Sequence, residues 1–290
     1  MKVMKTWLIT GASSGLGRLM CESLLARGDR VLASVRRETA LDDMRTQYGD
    51  NLQVLMLDLS KTATIKPVVE AAFAQAGRID TVVSNAGYGL FGTAEELSDT
   101  QIERQIATNL TGSIQLIRSV IPFMRQQGGG RIVQVSSEGG QIAYPDFSLY
   151  HATKWGIEGF VEAVRQEVAE FGIDFVLVEP GPTATQFGAG LDIADALTVY
   201  SDTAAGKMRS ALINGEFAIK GDAKKCVAAM IAAADADSPP LRLPLGSTAY
   251  NNIETALKMR LDALRAMKTV AYSADRPEVN SSDAGTDKPA

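Results

Sequence analysis

Short apolar runs alternate along this chain with longer stretches in which apolar residues recur every three or four positions. The runs at 5–10, 30–34, 52–57, 81–84, 131–136, 174–178 and 241–243 are rich in Val, Leu and Ile and read as strands. Such runs suit strands covered on both faces, as in a parallel sheet between helices. Helices are expected in the gaps. One is expected over 18–27 with Gly28 as its C-cap, and the clearest start is Ser98-Asp99-Thr100-Gln101, which reads as a capping box. The alternation predicts an α/β fold, a doubly wound, seven-stranded, mostly parallel sheet flanked by helices.

Composition adds boundaries and exclusions. A single domain is expected over 1–272, because from 273 to 290 the chain turns polar, with Pro277 and Pro289, and reads as a mobile tail. A net charge of −5 argues against a nucleic-acid partner, which would favour a basic face. The apolar run 226–234, between Lys225 and Asp235, is too short to span a bilayer and reads as a core helix, so no membrane partner is expected. Cys21 and Cys226 provide no disulfide framework and read as small buried hydrophobes. The opening residues lack a basic-then-apolar leader pattern, which leaves cytoplasm as the default location. His151 is the one histidine, and no cluster has metal-ligand spacing, so no metal is expected.

The candidate chemistry begins after the first run. Gly11-Ala12-Ser13-Ser14-Gly15-Leu16-Gly17 stands between a strand and a helix, the arrangement that brings a pyrophosphate against backbone N–H groups at a helix N-terminus. A plain tight turn accounts for such glycines equally well. More telling is Tyr150-His151-Ala152-Thr153-Lys154, with Ser137 upstream. Residues four apart share one face of a helix. An ammonium beside a phenol favours the phenolate, so an apparent pKa below 10 is expected for Tyr150. With Ser137 to hold the oxygen it serves, Tyr150 is a candidate acid/base for interconverting an alcohol and a carbonyl. His151, one residue on and so about 100° around the helix, is expected to point away from the reacting oxygen.

Taken in order, Thr10-Gly11-x-x-x-Gly15-x-Gly17, Asn85-Ala86-Gly87, Asn109, Ser137, Tyr150-x-x-x-Lys154 and Pro180-Gly181 resemble the motif set of the short-chain dehydrogenase/reductase family, single-domain branch, over 5–185. The resemblance implies a Rossmann-like fold and catalytic roles for Asn109, Ser137, Tyr150 and Lys154. Lys154 would also bind the nicotinamide ribose, and Ser137 the substrate oxygen. Asn109 would kink its helix and support a water chain to the lysine. Cofactor binding would involve Gly11, Ser13, Ser14, Gly15, Leu16 and Gly17 in the turn, and Asp58 with Leu59 near the adenine. Asn85, Ala86 and Gly87 would lie beside the cofactor, chiefly shaping the sheet edge. Pro180, Gly181, Thr183 and Thr185 would lie at the carboxamide, with 186–221 covering the substrate. Relatives pair through the helices holding Asn109 and Tyr150, which implies a homodimer or homotetramer.

Cofactor choice turns on the end of the second strand. An acidic residue there accepts bonds from the ribose 2′-OH of NAD, whereas arginine accommodates a 2′-phosphate. Here Val35 stands at the acidic position and Arg36 and Arg37 follow, which resembles members preferring NADP(H) over NAD(H). Many such members carry a further basic residue where this chain has Ser14. The activity implied is an NADP(H)-dependent oxidoreductase acting on a small-molecule alcohol or carbonyl. The alternatives are a non-catalytic NADP(H)-binding sensor on the same fold, and the sugar-nucleotide epimerase branch, whose G-x-x-G-x-x-G turn the glycines do not fit. Tyr88, Phe91, Glu138, Tyr144, Phe187 and Tyr200 are pocket candidates by analogy, and their mostly apolar and aromatic character suggests an uncharged substrate.

Overall fold

The structure, a computed structural model, describes residues 4–276. Its strands are β1 (Thr6–Ile9), β2 (Arg30–Val35), β3 (Leu52–Met56), β4 (Thr81–Ser84), β5 (Leu90–Phe91), β6 (Gly130–Val135), β7 (Ile173–Pro180), β8 (Asp192–Ile193) and β9 (Arg242–Leu245). The helices are α1 (Gly15–Ala26), α2 (Asp42–Tyr48), α3 (Ile65–Ala76), α4 (Asp99–Ile106), α5 (Gly112–Gln126), α6 (Ser148–Val168), α7 (Ala204–Ile213), α8 (Ala223–Asp235), α9 (Ser247–Ala266) and α10 (Lys268–Ser273). Seven strands form one sheet in the order β3-β2-β1-β4-β6-β7-β9, and every pairing in it is parallel. This is the Rossmann-like doubly wound arrangement.

Strand periodicity divides the core between the two faces. Trp7, Ile9, Val31 and Ala33 pack on one side with Met20 and Leu24 of α1 and Val227 and Met230 of α8. Leu8, Leu32 and Val82 pack on the other with Val69 of α3, Leu116 of α5 and Ile157 of α6. Both faces are covered along the central strands β1 and β4, which is why they are fully buried and largely apolar, whereas the edge strand β3 is only partly buried. The 226–234 run lies inside α8, with Cys226, Val227, Met230, Ile231, Ala233 and Ala234 buried, and among the described residues no helix is long and apolar enough to cross a membrane.

The chain crosses over in one direction from β1 to β2 and β3, and in the other from β4 to β6 and β7. The loops leaving β1 and β4 therefore diverge, opening the crevice where doubly wound sheets bind ligands. The expected elements differ from the observed ones in particulars. Helix α1 starts at Gly15, a turn earlier than its apolar pattern, and the last strand is shifted to Arg242–Leu245. The parallel β5–β8 ribbon was not anticipated, because it joins Leu90–Phe91 to Asp192–Ile193 across a long stretch of chain and no local pattern encodes it. The capping box at Ser98 is present, Ser98 Oγ accepting from Gln101 N and the Gln101 side chain accepting from Ser98 N.

The chain divides into two compact units at Ile253/Glu254. The first holds both sheets. In the second, the described residues continue α9 and then form α10, with 274–276 irregular. Of the tail expected over 273–290, residue 273 closes α10, and 277–290 lie outside the described residues.

Two glycines allow a test of how tightly the β1 loop is packed. Gly11 (φ +68°) would bring a Cβ to 2.8 Å from Ala86 Cα, whereas Gly49 (φ +51°) has nothing within 4 Å. Gly49→Ala should cost about 1–3 kcal/mol, for the positive-φ backbone alone (φ 51°, ψ −128°). Gly11→Ala should cost at least ~1 kcal/mol more, from overlap. Urea denaturation of both variants measures the difference, and equal losses would show that the Ala86 loop yields freely.

Candidate active site

The glycine turn and the β4 loop are bound to each other. Thr10 Oγ1 accepts from the N–H groups of Asn85 (2.9 Å) and Ala86 (3.1 Å) and donates to Val83 O (3.3 Å). Asn85 Nδ2 donates to the carbonyls of Thr10 (2.9 Å) and Gly11 (3.2 Å). A Cβ on Gly17 would lie 2.5 Å from Gly11 O and 2.6 Å from Asn85 Nδ2, so only glycine permits this approach. Helix α1 begins there with no side-chain cap from Ser14 and no acidic residue in its first turn. Its free N–H groups and positive dipole end suit an anion. Ser13 and Ser14 are exposed and Leu16 half-buried. Thr185 closes the other side, its Cβ 3.7 Å from where a Gly15 Cβ would stand. This cradle fits a dinucleotide pyrophosphate.

Other residues singled out in the sequence stand along the same edge. Arg36 and Arg37 are exposed just beyond β2 and make no ion pair among the described residues. Asp58 Oδ1 accepts from Ser60 N (3.0 Å) and Ser60 Oγ (2.8 Å), while Leu59 is buried. Gly181 N, just past Pro180, donates to Leu245 O (3.0 Å), and Thr183 Oγ1 donates to Gly181 O (2.8 Å).

Asn109 interrupts its helix. The turn Ala107–Thr111 between α4 and α5 is π-helical, and the Asn109 amide, buried within it, pairs with the Tyr88 backbone as a strand would. Its Oδ1 accepts from Tyr88 N (3.1 Å) and its Nδ2 donates to Tyr88 O (2.8 Å). A π-turn inside a helix is a common device at functional sites. Gly87 leaves room for it, since a Cβ there would sit 3.2 Å from Asn109 Oδ1.

Ser137, Tyr150 and Lys154 come together at the ends of β6 and α6. Ser137 caps the short turn Glu138–Gly140, accepting from Gly139 N (3.1 Å), and its side chain is near enough to the Tyr150 phenol to pull its pKa down. Lys154 Nζ lies 5.5 Å from the Tyr150 ring centroid and donates to Val135 O at 2.9 Å. The expected depression of the phenol pKa is not what the structure shows. Burial pushes Tyr150 from 10.0 up to about 12, against a downward pull from Ser137, and Glu138 adds to the rise. The ammonium does not reverse this, because it is turned onto the Val135 carbonyl and is itself buried, which lowers Lys154 to about 8 despite the Glu158 charge.

An aromatic wall surrounds the phenol. Phe147 stacks edgewise on Phe91 (5.1 Å), Tyr144 (5.5 Å) and Tyr150 (6.0 Å), and Phe187 stands 5.7 Å from Tyr150. Phe147 was not singled out in the sequence; it is the N-cap residue of α6, three residues before Tyr150. Of the pocket candidates, Phe91, Tyr144, Glu138 and Phe187 gather here. Tyr88 instead meets Arg104, whose Nε donates to its hydroxyl (3.2 Å), and Tyr200 donates to Glu95 (2.7 Å) away from the phenol. His151 is buried, with Nδ1 2.9 Å from Gly139 O and Nε2 accepting from Tyr144 N (3.3 Å). Both ring nitrogens brace the 139–144 loop, and burial lowers its pKa.

Behind the site lies a buried polar network that sequence reading missed, since its members are far apart in the chain. Glu158 accepts from Ser136 Oγ (2.5 Å), Gln141 Nε2 (2.5 Å) and Arg242 Nη1 (2.6 Å), and Arg242 also pairs with Glu179 and Glu162. Burial, with Glu158 beside it, raises Glu179 to about 7 against the pull of Arg242.

Comparison with known proteins agrees with this architecture. The family model described as short chain dehydrogenase matches residues 5–195. The chain is 32% identical over 247 residues to oxidoreductase BOA17 of Botryotinia fuckeliana, covering 84% of this chain and 90% of that protein. It is 30% identical over 240 residues to a 3-ketodihydrosphingosine reductase of Bacteroides thetaiotaomicron, covering 82% and 87%. The crystal structure of a short-chain dehydrogenase from Streptomyces avermitilis superposes with a TM-score of 0.87 at 35% identity, covering 94% of this chain and 99% of that one. The chain belongs to the short-chain dehydrogenase family and is an oxidoreductase of that family.

The buried lysine gives a pH test. Lys154 releases its proton near pH 8 when folded but at 10.5 when unfolded, so between these values the unfolded chain binds more protons and stability rises with pH. Above pH 10 Tyr150 acts in the opposite sense, because the folded phenol keeps its proton to about 12. Lys154→Met should lose the rise between pH 8 and 10, a slope of at most about 1.4 kcal/mol per pH unit. Parallel denaturation profiles for parent and variant would show that Lys154 is not buried as a charge.

Proposed function

We propose that this protein is an NADP(H)-dependent oxidoreductase that interconverts a secondary alcohol and a carbonyl, with Tyr150 as the acid/base. The observation that carries the reading is the gathering of buried Ser137, Tyr150 and Lys154 at the ends of β6 and α6, with Lys154 Nζ 5.5 Å from the phenol ring. The bound dihydronicotinamide supplies the hydride. The turn Gly11–Gly17, with Ser13, Ser14 and Leu16, holds the pyrophosphate, and Arg36 and Arg37 hold the 2′-phosphate. Asp58 and Leu59 lie at the adenine end, Asn85, Ala86 and Gly87 form the wall, and Pro180, Gly181, Thr183 and Thr185 bound the far side. Asn109 positions the loop after β4, and Lys154 orients the ribose.

In reduction, Ser137 holds the carbonyl oxygen and Tyr150 delivers its proton to it. Burial keeps Tyr150 protonated at neutral pH, the form that donates in reduction, although it also weakens the phenol as an acid. The reverse oxidation needs the phenolate and gains from alkaline conditions. The name of the Bacteroides relative, a reductase of a keto compound, supports the reductive direction. The aromatic wall of Phe91, Tyr144, Phe147 and Phe187 supports an uncharged, largely apolar substrate. A panel of ketones and aldehydes assayed with NADPH tests the reading directly.

Arg36→Ala together with Arg37→Ala should weaken NADPH by about tenfold or more, since hydrogen bonds to a charged group are worth roughly 1.5–3 kcal/mol each, and should leave NADH little changed. Equal loss for the two cofactors would show that these arginines do not read the 2′-phosphate. Tyr150→Phe conserves the ring and its packing but removes the exchangeable proton. It should bind NADPH like the parent and lose at least about two orders of magnitude in turnover. Near-parental turnover with any carbonyl the parent reduces overturns the mechanism.

A further inference from the structure

Next to the aromatic wall lies a cavity that none of Ser137, Tyr150 or Lys154 lines. Its volume is about 140 Å³, and Thr93, Glu96, Asp146, Tyr200, Arg209 and Ile213 are among its lining residues. At about 30 Å³ per water, it has room for roughly four or five waters or a small organic group.

Two of its charges are matched. Glu96 accepts from Thr93 N (2.8 Å), Leu197 N (2.8 Å) and Arg209 Nη2 (2.7 Å). Burial works against its ionised form, but these bonds outweigh burial and hold its pKa below the usual range. Arg209 also donates to Ala194 O (3.1 Å) and lies over the Phe91 ring at 5.3 Å.

Asp146 is different. It is 3% exposed, and neither carboxylate oxygen has a hydrogen-bond partner. The buried hydroxyl of Thr93 also lacks one. Asp146 is moreover the one non-glycine residue with positive φ among the described residues, at 65°, its backbone held by a bond from Gly92 N (2.8 Å). Asparagine or glycine would satisfy that backbone at no electrostatic cost. A buried carboxylate without partners is costly, and at a strained position a ligand that completes it is the direct explanation.

We propose that this cavity binds a small primary ammonium group, which donates to both Asp146 carboxylate oxygens and to Thr93 Oγ1. An ammonium has three donors, which match the three oxygens without partners, and its one charge offsets the carboxylate left over where Arg209, paired with Glu96, faces both Glu96 and Asp146. A hard divalent cation would need six or more oxygens, and Glu96 is already committed to other donors. The inference is independent of the alcohol–carbonyl reading, and its test reads binding and not turnover.

The probe is ethylammonium chloride, followed by thermal unfolding and calorimetric titration of the full chain. Potassium chloride at equal ionic strength and propan-1-ol serve as controls. Ethylammonium should raise the melting temperature and bind, while neither control does so. Asp146→Asn, which keeps the left-handed backbone, should lose about tenfold or more in affinity. If that variant fails to fold, Thr93→Val should show a several-fold loss. Equal binding by parent and variant, the same stabilisation by either control, or a crystal structure grown with ethylammonium that shows only waters on Asp146 overturns the proposal.

Discussion

The hydrogen bond from Lys154 Nζ to the Val135 carbonyl is the contact on which the arrangement of the site rests. Val135 ends β6, and Ser137 stands two residues beyond it. Tyr150 stands one helical turn before Lys154. A single bond from α6 to the end of β6 therefore sets the serine against the tyrosine. It is formed in the interior, where an unpaired carbonyl or ammonium is costly, so the alternatives to this placement are expensive. The same burial that enforces the contact lowers the lysine pKa and raises that of the phenol.

A second layer holds α6 from behind. Glu158, one turn past Lys154, collects Ser136, Gln141 and Arg242, and Arg242 joins it to Glu179 at the end of β7. The fit leaves no room at Gly140, where a Cβ would lie 1.8 Å from Glu158 Oε1. His151 completes the frame from the same helix by bonding both sides of the 139–144 loop. Ser137 is thus carried on a loop held by Glu158, through Ser136 and Gln141, and separately by His151.

Electrostatics and packing act together at the phenol. Aromatic rings exclude water from Tyr150, and Glu138 next to Ser137 adds a carboxyl whose own pKa burial raises and the Asn252 bond pulls back. Both effects favour the protonated phenol.

What the sequence determined by itself was everything set by near neighbours. Apolar runs located the sheet, glycine spacing located the β1 turn, Ser98 and Gln101 wrote their capping box, and the four-residue step from Tyr150 to Lys154 put both on one helix face. Tertiary structure decided what depends on contacts between distant segments. Asn109 stood out through the family resemblance, but its partner, the Tyr88 backbone, is brought to it only by folding. The partners of His151, the Arg242 network and the β5–β8 ribbon were hidden for the same reason. The direction of the Tyr150 shift was misjudged because spacing reports which charges are near and says nothing of how much water is excluded. In an interior this dry, desolvation outweighed the neighbouring charge.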